Sequence, residues 1–125
     1  MKILVIEDDI VTLKALEYRL KLEGFEVIVA KDGRLGKKLI QTKKPDIIIS
    51  DILMPHTSGI ELLAMVRHEM KLNVPFIIIT ALGQKSNMDK ALEIGATDYV
   101  VKPLDTNELI SKIKEYEIIK TGRND

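Results

Sequence analysis

A chain of 125 residues with 46% hydrophobic and 30% charged side chains can bury one ordinary core, and is too apolar for disorder. Its 19 basic and 19 acidic residues cancel, which excludes a global attraction to nucleic acid or to an anionic membrane. Cysteine is absent, which excludes disulfides, thiolate metal sites and cysteine nucleophiles.

The run Ile3-Leu4-Val5-Ile6 predicts a short buried strand, too short to be a signal peptide. From Ile10 to Leu22 the apolar period is helical, with Gly24 just past the end. Phe25 to Ala30 predicts a second strand, and Asp32 can cap a helix running to about Thr42. Ile47 to Ser50 predicts the third strand, followed by a helix over about Gly59 to Met70. Phe76 to Thr80 is the fourth strand, and a helix from about Ser86 stops at Gly95. Tyr99 to Val101 is the fifth strand, and a last helix runs from about Thr106 to Ile119. Strict alternation of five βα units implies a parallel sheet covered by helices on both faces, and continuous apolar strands support it. The polar tail, residues 121–125, is expected to fray beyond a single domain over 1–120. No stretch is long and apolar enough for a transmembrane helix, and a cytoplasmic protein is expected.

Open parallel α/β sheets place their sites beyond the carboxyl ends of the strands. Asp51 follows the third strand, with Met54-Pro55 and Gly59 as turn signals behind it. A carboxylate there is costly to desolvate unless its charge is used. Glu7, Asp8 and Asp9 follow the first strand, Thr80 ends the fourth, and Lys102-Pro103 follows the fifth. Three acids without His or Cys suit a hard cation, Mg²⁺ above all. With its charge so balanced, Asp51 can stay ionised and act as a nucleophile toward phosphorus. Lys102 can offer a point charge to phosphoryl oxygens and Thr80 a hydrogen bond.

These segments, taken with Pro45-Asp46 before the third strand, Gly95-Ala96-Thr97-Asp98-Tyr99 and Lys102-Pro103, resemble a response-regulator receiver domain over about residues 2–119. The resemblance implies a flavodoxin-like fold with strand order 2-1-3-4-5. It implies a phosphorylation-dependent switch of a two-component or phosphorelay system, not an enzyme acting on other substrates. Asp51 would take the phosphoryl group from a phosphohistidine of a sensor histidine kinase or histidine phosphotransfer protein. Asp8 would ligate Mg²⁺ directly, Glu7 through water, and Leu53 through its backbone carbonyl. Lys102 would contact the phosphoryl group, and its bond to Pro103 would be cis. Thr80 and Tyr99 would form the switch, changing the face of strand four, strand five and the last helix toward an effector or output domain.

Other residues read more plainly. Asp9 is expected to be a helix N-cap, His56 a loop residue and His68 an exposed helix residue. On the first helix, Ile10, Leu13, Leu16 and Leu20 share one face, and Val11, Ala15, Tyr18 and Leu22 the opposite one. The first is expected to pack on the sheet, leaving Val11, Ala15 and Tyr18 as a docking stripe, near which the kinases of such domains bind. Asp98, Glu108 and Lys112 resemble charges that support dimers on phosphorylation in transcription-factor members, although Met88 stands where a basic partner is expected. Leu53 and Leu82, two residues after Asp51 and Thr80, are apolar and predict slow loss of the phosphoryl group. A phosphatase of the haloacid-dehalogenase type would want a second Asp where Leu53 stands. A phosphorylation-independent module would lack an acid or the lysine.

Overall fold

The computed structural model describes residues 1–121. Five strands, β1 (Lys2–Ile6), β2 (Glu26–Ala30), β3 (Ile47–Ser50), β4 (Phe76–Thr80) and β5 (Asp98–Val101), form one parallel sheet in the order β2-β1-β3-β4-β5. The helices are α1 (Ile10–Leu22), α2 (Gly33–Lys43), α3 (Gly59–Ala64), α4 (Lys85–Ile94) and α5 (Thr106–Thr121). This is the expected flavodoxin-like fold. Of the tail expected to fray, Thr121 closes α5, and residues 122–125 lie outside the described residues.

Alternate residues of each central strand serve opposite faces. Ile3, Val5, Ile47, Ile49, Ile77 and Ile79 pack with Leu13, Leu16 and Leu20 of α1 and Leu109, Ile110 and Ile113 of α5. Leu4, Ile6, Ile48, Phe76 and Ile78 pack on the other side with Ile40, Leu62, Leu63, Val66 and Ala91. Two buried faces explain why these strands read as continuous apolar runs. The edge strands β2 and β5 are only half-buried, since each has a neighbour on one side.

Three local expectations are corrected. Ile10, expected to pack on the sheet, is 52% exposed at the first position of α1, where it borders an open groove with Val29, Lys31 and Leu35. Phe25 is buried but precedes β2, and donates its N–H to Leu20 O, closing α1 instead of pairing in the sheet. The helix after β3 does not stay α-helical to Met70: Met65–Glu69 is a π-turn, with Met70 N–H donating to Met65 O five residues back. The turn sends Arg67 across to Gly95 O and Leu72 O at 2.9 and 2.8 Å. Burial lowers the Arg67 pKa from its ordinary value.

Candidate functional site

The sheet ladder continues one residue past three strands and thereby aims the site. Glu7 N–H donates to Ala30 O, Asp51 N–H to Ile6 O and Lys102 N–H to Thr80 O, at 3.0, 3.1 and 2.7 Å. Glu7, Asp51 and Lys102 are therefore held at one edge by backbone bonds that do not depend on their side chains. The Lys102–Pro103 bond is cis, as the resemblance implied.

Lys102 Nζ binds Asp51 Oδ2 at 2.8 Å and also binds Glu7 Oε1. Glu7 is fully buried and Asp51 is 7% exposed. Asp8 is exposed. Glu7, Asp8 and Asp51 each bring a carboxylate oxygen within 4.8 Å of the other two. Burial raises the Glu7 pKa above its ordinary value, and neighbouring Asp51 adds to this against the pull of Lys102. For Lys102, burial works to lower the pKa, but bonds to Asp51 and Glu7 outweigh it and hold the ammonium charged. Three carboxylates and one ammonium leave an excess of negative charge in a confined place. All-oxygen donors with such an excess fit a divalent hard cation, so the residues suit Mg²⁺.

The loop after β3 folds back under Asp51. Ile52 and Leu53 donate their N–H groups to Asp51 Oδ1 at 2.6 and 3.3 Å, and Gly59 N–H donates to Ile52 O at 2.9 Å. A Cβ on Gly59 would stand 2.1 Å from the Asp51 carbonyl oxygen, so only glycine lets α3 start there. Leu53 thus lies in this loop beside Asp51 and is 57% exposed, while Leu82 is half-buried.

Thr80 is buried at the end of β4, and its hydroxyl accepts from Leu82 N–H at 3.3 Å. Tyr99 donates its hydroxyl to Leu82 O at 2.5 Å. Burial, then the Asp51 charge, raises the Tyr99 pKa. Asp9 caps α1, accepting from Val11 N–H and the Thr12 hydroxyl at 3.3 and 2.6 Å, and the Thr12 bond first of all lowers its pKa. His68 is exposed.

Val11, Ala15 and Tyr18 are exposed along α1. Val11 and Ala15 line a groove of about 400 Å³ that reaches Lys102, Pro103, Leu104 and Thr106. Away from the edge, Asp98 accepts from the Tyr116 hydroxyl at 2.8 Å and from Lys112 Nζ at 3.4 Å, so two of the three charges expected to support a dimer pair within the chain.

Sequence reasoning missed several partners. Tyr116 was silent, since an i,i+4 relation to Lys112 on α5 does not tell that both meet Asp98. Arg34 was silent too, although its guanidinium reaches His56 Nδ1 at 3.2 Å. His56 is therefore more than a plain loop residue: it has a φ of 73° and a partner on α2.

Comparison with known proteins shows the family and the fold. The phosphate regulon transcriptional regulatory protein PhoB of Pseudomonas aeruginosa is 34% identical over 98% of this chain and 54% of its own length. The alkaline phosphatase synthesis transcriptional regulatory protein PhoP of Bacillus subtilis is 36% identical over 90% of this chain and 47% of its own. The chain spans about half the length of the curated relatives it matches. The receiver domain of Francisella response regulator 1452 superposes with a TM-score of 0.90, at 32% identity over 96% of this chain and 98% of that one. A family model described as the response regulator receiver domain matches residues 3–114, nearly the whole chain, and on that ground the chain belongs to the receiver domains of two-component response regulators.

Proposed function

We propose that this domain is a phosphorylation-dependent switch in which Asp51 accepts a phosphoryl group from a phosphohistidine. The observation that carries the reading is the meeting of Glu7, Asp8, Asp51 and Lys102 at one sheet edge. An Asp51 carboxylate oxygen attacks phosphorus, the P–N bond to the donor imidazole breaks, and the imidazole nitrogen takes up a proton. Glu7, Asp8, Asp51 and the Leu53 backbone carbonyl would hold Mg²⁺, which when bound neutralises charge on the phosphoryl oxygens. Lys102 already bonds the acceptor carboxylate and is positioned to follow the transferred oxygens. Thr80 accepts from Leu82 N–H and keeps its own hydroxyl proton to donate to the phosphoryl group. Tyr99 would follow by leaving Leu82 O, changing the face of β4, β5 and α5.

The donor is a sensor histidine kinase or histidine phosphotransfer protein, docking on Val11, Ala15 and Tyr18 beside the groove that leads to Lys102. A downstream effector or output domain reads the altered face, in keeping with the regulatory names of the relatives. Any dimer using Asp98 and Lys112 must first open the pair they make with each other. The setting is cytoplasmic, and no helix among the described residues is long and apolar enough to cross a membrane.

Intact mass after incubation with acetyl phosphate and Mg²⁺ tests the reading. One added phosphoryl group is expected, absent in Asp51→Asn and without metal. No addition to the folded chain, with rapid decay ruled out by a time course, would favour a phosphorylation-independent module. In a second arm, Ala15→Arg should slow transfer from the kinase and leave acetyl phosphate labelling intact; equal loss of both would refute the docking stripe.

A further inference from the structure

We propose that the first turn of α2 braces the loop carrying the Leu53 carbonyl, with Arg34 as the positioning residue; this rests on the metal reading above. Thr57 N–H donates to Pro55 O at 2.9 Å across His56, whose φ is 73°. A bond spanning three residues around such a φ has the rarer hand of the γ-turn, which is strained for a residue with a side chain. Strain of this kind persists only where neighbouring structure holds it.

The base of the loop is pinned by Asp51 and by the Gly59–Ile52 bond. Its tip is held from α2. A Cβ on Gly33 would stand 2.2 Å from Thr57 O, so the α2 backbone sits directly against the turn. Arg34 then reaches over it to His56 Nδ1 at 3.2 Å. A guanidinium only donates, so the imidazole nitrogen accepts. Among the described residues Arg34 forms no salt bridge, and His56 is the only side chain it bonds. Between the two anchors lie Leu53, Met54 and Pro55. Release of the tip frees the direction of the Leu53 carbonyl, while the ladder bonds that hold the Glu7 and Asp51 backbones stay in place.

Electrostatics and positioning predict opposite signs, which makes the inference testable. Arg34 carries a positive charge, so its charge alone can only oppose Mg²⁺, and Arg34→Ala would leave binding unchanged or tighten it if charge were its only role. As a positioning residue its removal must weaken binding, by about 10-fold on the scale of outer-shell partners of metal ligands. Mg²⁺ titration calorimetry on the full chain is the measurement, for wild type, Arg34→Ala and Arg34→Lys, with thermal melts to establish folding. The expected order of Kd is wild type tightest, Arg34→Lys intermediate, Arg34→Ala weakest. An unchanged or tighter Kd in Arg34→Ala overturns the brace alone, as does Arg34→Lys binding no more tightly than Arg34→Ala. A wild-type chain that takes up no Mg²⁺ overturns the metal reading and the brace with it.

Discussion

The two ends of β5 each carry a cluster of carboxylate and lysine, and the two are built differently. At the N-terminal end, Asp98 receives Lys112 and the neutral Tyr116 hydroxyl. One negative charge meets one positive charge, and burial together with Asp98 raises the Tyr116 pKa. At the C-terminal end, a single ammonium, Lys102, serves the buried Glu7 and Asp51, with Asp8 as a third acid. Folding alone does not call for a fully buried glutamate that shares, among the described residues, its one cation, because the desolvation of both acids is incompletely offset. Ion pairing is common to the two clusters. What separates them is balance, and the unbalanced one is the one proposed above to bind a cation and to react.

The largest effect that would sharpen this contrast is loss of the shared cation. Lys102→Met should cost about 3 kcal/mol in urea unfolding without metal, the lower end for breaking a buried pair. A loss below about 1 kcal/mol would mean that Glu7 is not dependent on Lys102. Next, Mg²⁺ at about 100 times its Kd should add about 2.7 kcal/mol to the stability of the wild-type chain. The same addition should do far less for Asp51→Asn, and an equal gain would place the ion elsewhere. On the balanced side, Tyr116→Phe should lose about 1 kcal/mol, the worth of one hydrogen bond, and leave acetyl phosphate labelling unchanged. A labelling defect in Tyr116→Phe would break the separation between the two ends.

The smallest effect lies in pH. Glu7 has a pKa above its ordinary 4.5 in the folded chain, chiefly through burial. The folded state therefore holds that proton more tightly than the unfolded state, and the Glu7 contribution to stability falls as pH rises from about 4.5 through the folded value. Asp9, Glu23 and Asp46 have lowered values and contribute the opposite slope, so the comparison must be with a variant. Glu7→Gln should gain on wild type in urea midpoint as pH increases from 4.5 to 7 without metal. A difference between the two that does not move in favour of Glu7→Gln would show that Lys102 fully compensates the buried charge.

The sheet was legible because its central strands are buried on both faces, so Ile47 to Ile49 and Ile77 to Ile79 have no polar alternation to confuse them. Asp51, Glu7 and Lys102 were legible for a related reason: each directly follows an apolar run, and a parallel sheet brings such positions to one edge. Contacts between elements were not. Ile10 has the right period for the core yet stands exposed at the first position of α1. The π-turn at Met65–Glu69 leaves no mark on apolar spacing, since Val66 is buried and His68 and Glu69 are exposed as an α-helix would also have them. The meeting of Arg34 with His56 depends on how α2 lies against a loop more than twenty residues later, which neither periodicity nor turn chemistry records.

Leu82 ties together two residues that are otherwise on separate strands. Its N–H serves the Thr80 hydroxyl and its C=O serves the Tyr99 hydroxyl, so one residue of the β4–α4 connection holds both. A displacement of that backbone breaks the two bonds together. At about 1 kcal/mol for each bond, the pair alone would keep an open form at roughly 3% of molecules. For the switch proposed above, that fraction is small enough for a quiet resting state and large enough to be drawn on without unfolding: the connection would act as a latch with a single pin.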